Sequence, residues 1–280
     1  MINIKKVIIY GERCSGTNFL ENVILENFNV EISWEQGSKH FFCFNDYNKR
    51  NFDDTLYIGI VRNPIYWINS FSKELHHVPE INRKNLKNFL FNKFYSVNDE
   101  IEIAPKLQTV LFNNKYKKIY RYTTMTKDLN YITNKVYKNI FELRKLKNDY
   151  LMNIMPTKVK NYVLINYENL LNNYQGTLES IKNQFNLTQK YSTFKKIKNY
   201  KKSDTYNFVQ QRQITLTPFI INIIWQNLDV NQELKLGYNN KLNETNKTNE
   251  TNETNETNEI NETNETNETN ETNETNENKL

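Results

Sequence analysis

The chain has 280 residues, 38% hydrophobic and 13% aromatic, and residues 1–240 suffice for one sizeable core, as one domain or two closely fused ones. Its formal net charge of +5 hides an asymmetry: from Lys241 onward 3 Lys face 11 Glu, so the tail carries −8 and the body +13. Two cysteines, Cys14 and Cys43, exclude a disulfide framework, and no apolar run approaches the ~18 residues of a membrane span or forms a signal peptide.

A body this basic suits polyanionic ligands: nucleotides, nucleic acid, anionic glycans or acidic membranes. Lysine richness from codon bias would give the same charge. The abundance of Asn, Lys, Ile and Tyr reads as the usage of an AT-rich genome, such as a protist's or a large DNA virus's. With no leader, the expected setting is cytoplasmic, or the host cytoplasm or virion for a viral gene.

In chain order, residues 5–10 form a short β-branched apolar run without alternation, which predicts a buried strand ended by Gly11. Residues 18–27 place Phe19, Leu20, Val23 and Ile24 at helical spacing, with Thr17 or Asn18 as cap. His40 precedes Phe41-Phe42-Cys43-Phe44, read as a buried strand or its edge. Residues 56–61 predict a second buried strand, and a helix over 65–73 starts after Pro64. A third strand is expected at 119–122, a charged amphipathic helix over 137–151, a strand over 162–166, and helices over 174–185 and 218–228. From residue 242 an Asn-Glu-Thr repeat cannot bury enough apolar area to offset the entropy of ordering, so the 241–280 tail is expected to be disordered. Its Asn-x-Thr sequons are also what simple repeat expansion would produce. Short buried strands alternating with helices predict an α/β domain: three layers, α/β/α, around a central parallel sheet.

The segment Gly11-Glu12-Arg13-Cys14-Ser15-Gly16-Thr17-Asn18 joins the first strand to the first helix. Strand, glycine-bounded loop and helix is the layout of a phosphate cradle, where backbone N–H groups and the helix dipole converge on an anion. The glycines keep the G-x-x-x-x-G spacing. The lysine that should follow in an NTPase is Thr17, which argues against NTP hydrolysis. A cysteine phosphatase is excluded as well, since Leu20 stands where its arginine would be. Further on, Arg62-Asn63-Pro64 ends a buried strand, at the ligand edge of an α/β sheet, and Ser70 follows two helical turns later.

These two segments resemble those of the sulfotransferases that use 3′-phosphoadenylyl sulfate (PAPS), and the resemblance spans residues 5–238. It implies a P-loop-like fold. Ser15, Gly16, Thr17 and Asn18 would hold the donor's 5′-phosphosulfate, with Cys14 where many members carry a basic residue and Arg13 taking over that charge. Arg62 and Ser70 would hold the 3′-phosphate. The family's acidic residue two after the proline is Tyr66 here. Val163 to Leu171 is similar to the family's strand ending in Tyr-Glu-(Asp/Asn)-Leu, and Leu236-Gly237-Tyr238 to its usual ending. Lys201, Lys202, Ser203 and Tyr206 stand where a loop often closes over the nucleotide.

By order along the chain, His40 matches the family's base and Lys39 would neutralise charge at the sulfuryl group. His76 and His77 would line the acceptor cleft. The base stays open between His40, the His76-His77 pair and a carboxylate such as Glu12 or Glu21. The implied reaction moves a sulfuryl group to a hydroxyl or amine of a glycan, small molecule or protein, leaving adenosine 3′,5′-bisphosphate. It calls for no metal, no membrane and no nucleic acid. The competing readings are a P-loop-like kinase using ATP and a non-catalytic binder of polyanions or nucleic acid.

Overall fold

The computed structural model describes residues 3–34, 36, 39–44, 52–75, 78–97, 127–197 and 213–240. The strand expected at 119–122, His76 and His77, the four residues named between 201 and 206, and the tail lie outside them.

The protein is α/β. Strand β1 (Lys6–Tyr10) leads through helix α1 (Thr17–Asn27) to β2 (Glu31–Ile32), a 3-10 turn at Phe42–Phe44 and β3 (Thr55–Val61). Helices α2 (Pro64–Phe71) and α3 (Leu86–Phe91) follow, then β4 (Ser96–Val97) and β5 (Lys127–Asp128), which pair antiparallel. Helix α4 (Ile140–Asp149) runs on through a π turn (Tyr150–Ile154) and a last α turn (Met155–Lys158) into β6 (Tyr162–Asn166). Helices α5 (Tyr167–Asn172), α6 (Tyr174–Phe185), α7 (Pro218–Asn227) and α8 (Val230–Lys235) complete the described chain. The main sheet has the order β2-β1-β3-β6, every pair parallel, with Tyr10 opposite Gly59 and Val61 opposite Asn166.

Strand alternation splits the core in two, compatible with the three-layer arrangement. Val7 and Ile9 of β1 and Leu56, Ile58 and Ile60 of β3 pack with α1, α5 and α6. Ile8 and Tyr10, with Tyr57 and Val61, face α2, α3, α4 and α7. A strand covered on both faces needs apolar residues at every position, which is why β1 and β3 read as continuous runs. From β1 the chain goes to β2 on one side, while β3 lies on the other. The loops after β1 and β3 therefore flank the point where strand order reverses, the crevice in which such sheets bind ligands.

Two local expectations are corrected. Residues 41–44 are not a strand: Phe42–Phe44 form a 3-10 turn. Phe41 and Phe42 are fully buried, with Phe42 5.7 Å from the Tyr10 ring and 5.8 Å from Tyr150. Tertiary packing alone buries this short apolar run, a case that periodicity cannot tell from a strand. The cap of α1 is neither Thr17 nor Asn18 but Gly16, in the left-handed region at φ 99° and with no side-chain cap. By contrast α2 starts as expected: Pro64 sits in the first turn, and Asn63 Oδ1 accepts from the Ile65 and Tyr66 amides.

Candidate nucleotide site

The loop after β1 is shaped by its backbone. Cys14 (φ 64°) and Gly16 (φ 99°) both take left-handed conformations. The Ser15 amide and hydroxyl both donate to the Glu12 carbonyl, at 3.1 and 2.6 Å, and Glu12 Oε1 accepts from the Arg13 amide at 2.7 Å. Because the cap is a glycine, it makes no side-chain hydrogen bond to the first-turn amides of α1, which lack intrahelical acceptors. Those amides and the positive end of the helix dipole are the elements of an anion site. Gly16 is dictated twice over: by its φ, and by the Tyr167 ring, which would lie 2.3 Å from an added Cβ.

The Arg-Asn-Pro turn meets this loop directly. Arg62, 8% exposed, donates from Nη1 to the Cys14 carbonyl at 2.9 Å and lies 4.7 Å over the Tyr167 ring. Its Nε is buried without a hydrogen-bond partner. Ser70, on α2, is near enough for its hydroxyl to act on the Cys14 thiol, favouring the charged form. Desolvation, with Glu74 adding to it, pushes the Cys14 thiol up to about 12 against the pull of Ser70 and Arg62. Cys14 is thus a neutral thiol at physiological pH, with no nucleophilic thiolate. Arg13 lies inward: it is 4% exposed, its guanidinium is 5.5 Å over Phe41, and its charge acts on buried Asp128. Its carbonyl accepts from Trp67 Nε1 at 2.8 Å, tying the loop to α2.

Lys39 and His40 lie beside the loop. The Gly11 amide donates to the Lys39 carbonyl at 3.1 Å, and His40 Nδ1 meets the Gly11 carbonyl at 2.7 Å. A carbonyl only accepts, so Nδ1 carries the hydrogen and the neutral ring has its lone pair on Nε2. The Lys39 ammonium pairs with Glu21 at 3.0 Å, donates to Asn18 Oδ1 and sits 5.3 Å over the Trp34 ring. Glu21 is thereby committed to an ion pair.

The two softer segments are joined to the site and to each other. The Glu168 carboxylate, just after β6, accepts from the Asn63 amide at 3.1 and 3.2 Å and from the Tyr238 hydroxyl at 3.0 Å. Asn166 Nδ2 donates to the Leu236 carbonyl at 2.5 Å. Sequence reasoning missed Arg144, which makes a two-pronged pair with Glu233 (2.6 and 2.7 Å) and donates to the Arg62 carbonyl at 2.9 Å. It also missed Lys147. The signal was present: at four and seven residues past Ile140, both fall on the core-facing stripe of α4. Behind the loop, a cavity of about 10 Å³ lined by Glu12, Ser15, Arg62, Arg144, Lys147 and Asn148 has room for one water at most.

Among the described residues no helix is long and apolar enough to cross a membrane. No family model, no curated protein and no solved structure matches the chain.

Proposed function

We propose that the protein is a sulfotransferase that carries a sulfuryl group from PAPS to a hydroxyl or amine acceptor. What supports the reading is the meeting of two segments far apart in sequence: Arg62 donates to the carbonyl of Cys14, in the middle of the loop after β1, and Ser70 lies near enough to act on its thiol. An anion site over the uncapped amides of α1 and a second at Arg62 and Ser70 suit a ligand with separate phosphates, which distinguishes this donor from ADP or ATP.

In this reading the α1 amides, with Thr17, hold the 5′-phosphosulfate, and Ser15 joins them only by releasing the Glu12 carbonyl. His40 is the base. Its Nε2 takes the acceptor's proton while an acceptor oxygen or nitrogen bonds sulfur. The sulfur–oxygen bond to the nucleotide then breaks, leaving adenosine 3′,5′-bisphosphate. Such a transfer needs mainly positioning and positive charge around the equatorial oxygens, and a general base adds roughly 10²–10⁴-fold. Lys39 can supply charge only by leaving Glu21.

The test is calorimetric titration with adenosine 3′,5′-bisphosphate beside ADP and magnesium ATP. The bisphosphate should bind in clear preference. Arg62→Ala should weaken it by about 10–100-fold, the worth of a hydrogen bond to a charged group, and barely change AMP. Preference for ATP would favour the kinase, and no nucleotide binding at all the polyanion binder; either defeats the proposal.

A further inference from the structure

Lys147 lies near the end of α4 with 1% exposure, and its neighbours come from three other parts of the chain. The ammonium pairs with Asp128 of β5 at 2.6 Å and donates to the His40 carbonyl at 2.5 Å. It stands 3.9 Å from Glu12 and 4.5 Å over the Phe42 ring. Asp128 is fully buried. Burying such a pair is costly and rarely justified by stability alone, so what it holds in place matters. It holds the turn that carries His40. The backbone carbonyl of that residue is tied to Lys147 and its ring to Gly11. One attachment fixes the position of the imidazole and the other its rotation.

We infer that Lys147 and Asp128 are positioning residues for His40: Asp128 orients the ammonium, the ammonium anchors the His40 carbonyl, and the anchored ring is held with hydrogen on Nδ1 and the lone pair on Nε2. The use of that lone pair rests on the sulfuryl-transfer reading; the tautomer itself is a property of the chain without any ligand.

The charges around the pair favour the same arrangement. Burial opposes the charge on Lys147, but Asp128, Cys43 and Glu12 outweigh it and hold its pKa above the ordinary value. Burial pushes the Asp128 carboxyl up to about 7, opposed by Lys147 and Arg13 and reinforced by Glu12. The Tyr137 hydroxyl, on the segment leading into α4, is raised by burial and by this carboxylate. Lys147 is therefore a standing cation among acceptors, able to grip a carbonyl.

The test uses the full chain with ¹⁵N-labelled histidine and long-range proton–nitrogen NMR at pH 8. There are 3 histidines, so His40→Gln assigns the signal. Wild type should show Nδ1–H. Lys147→Met and Asp128→Asn, with near-UV circular dichroism unchanged, should move His40 toward the Nε2–H preference of free imidazole. Asp128→Asn removes the charge that orients the ammonium while keeping the side chain's shape, and carries the test should Lys147→Met not fold. A wild-type ring in the Nε2–H form, or a folded variant that keeps Nδ1–H, overturns the inference. Bisphosphate affinity and slow hydrolysis of PAPS are measured alongside. Affinity should stay within about twofold and hydrolysis fall at least about tenfold, a fraction of the roughly 10²–10⁴-fold that a base contributes. Absent bisphosphate binding in wild type would defeat the functional reading, while the tautomer result would still decide the positioning.

Discussion

Replacing Gly16 by alanine probes the loop at its tightest point. The new methyl would stand 2.3 Å from Tyr167 Cδ2 and 2.6 Å from Cε2, on a backbone at φ 99°. The left-handed conformation costs an L-residue about 1–2 kcal/mol. The ring has little room to retreat. It is 5% exposed, edge-on to Phe19 at 5.9 Å, and carries the Arg62 guanidinium. Forced repacking adds about 1–3 kcal/mol, so the whole effect should be about 2–5 kcal/mol. Urea unfolding of wild type, Gly16→Ala, Tyr167→Ala and the double variant separates the two causes. With the ring gone, only the backbone part should remain, leaving a coupling of about 1–3 kcal/mol. If the two changes simply add within about 0.5 kcal/mol, the contact between loop and ring is not what demands glycine.

Two further outcomes are expected beside the binding and NMR experiments above. Arg144→Met alone strands Glu233 in the interior and should cost about 3–5 kcal/mol, whereas Arg144→Met with Glu233→Leu should recover most of it; urea midpoints that rank the double variant below the single one would contradict the pairing. The carboxyl of Asp128 moves from 3.8 to about 7 on folding. The folded state therefore holds a proton that the unfolded chain has released, and this group's stabilisation is complete below 3.8 and lost as pH rises through about 7. Unfolding free energies across that window should fall more steeply with pH in wild type than in Asp128→Asn, and equal slopes would refute the assignment.

Much of the scaffold was legible because its causes are local. The runs in β1, β3 and β6 are apolar at successive positions, Pro64 marks the start of α2, and the helix expected over 174–185 occurs as α6 with the same bounds. What escaped depends on distance in sequence. Phe42 is buried by Tyr10 and Tyr150, neither of them near it along the chain. The segment over 137–151 read only as a charged amphipathic helix, and the arrival of Glu233, Asp128 and the His40 carbonyl makes two of its charges interior. At the site, the residue types and their order were readable. The inward course of Arg13 and the commitment of Lys39 to Glu21 were not, since both are set by neighbours from other elements.

Glu168 carries a kinetic consequence. Through one carboxylate it joins Asn63, more than a hundred positions earlier, to Tyr238, seventy positions later. Pairing of Val61 with Asn166 already closes the first span, but the second must close on its own before its contact rewards it, which makes the Tyr238 bond slow to form. The carboxylate that holds the turn bearing Arg62 would then be among the last features to set during folding. A chain shortened before Tyr238 could still pair its strands yet recover ligand affinity poorly, and in a refolding experiment secondary structure should return before binding does.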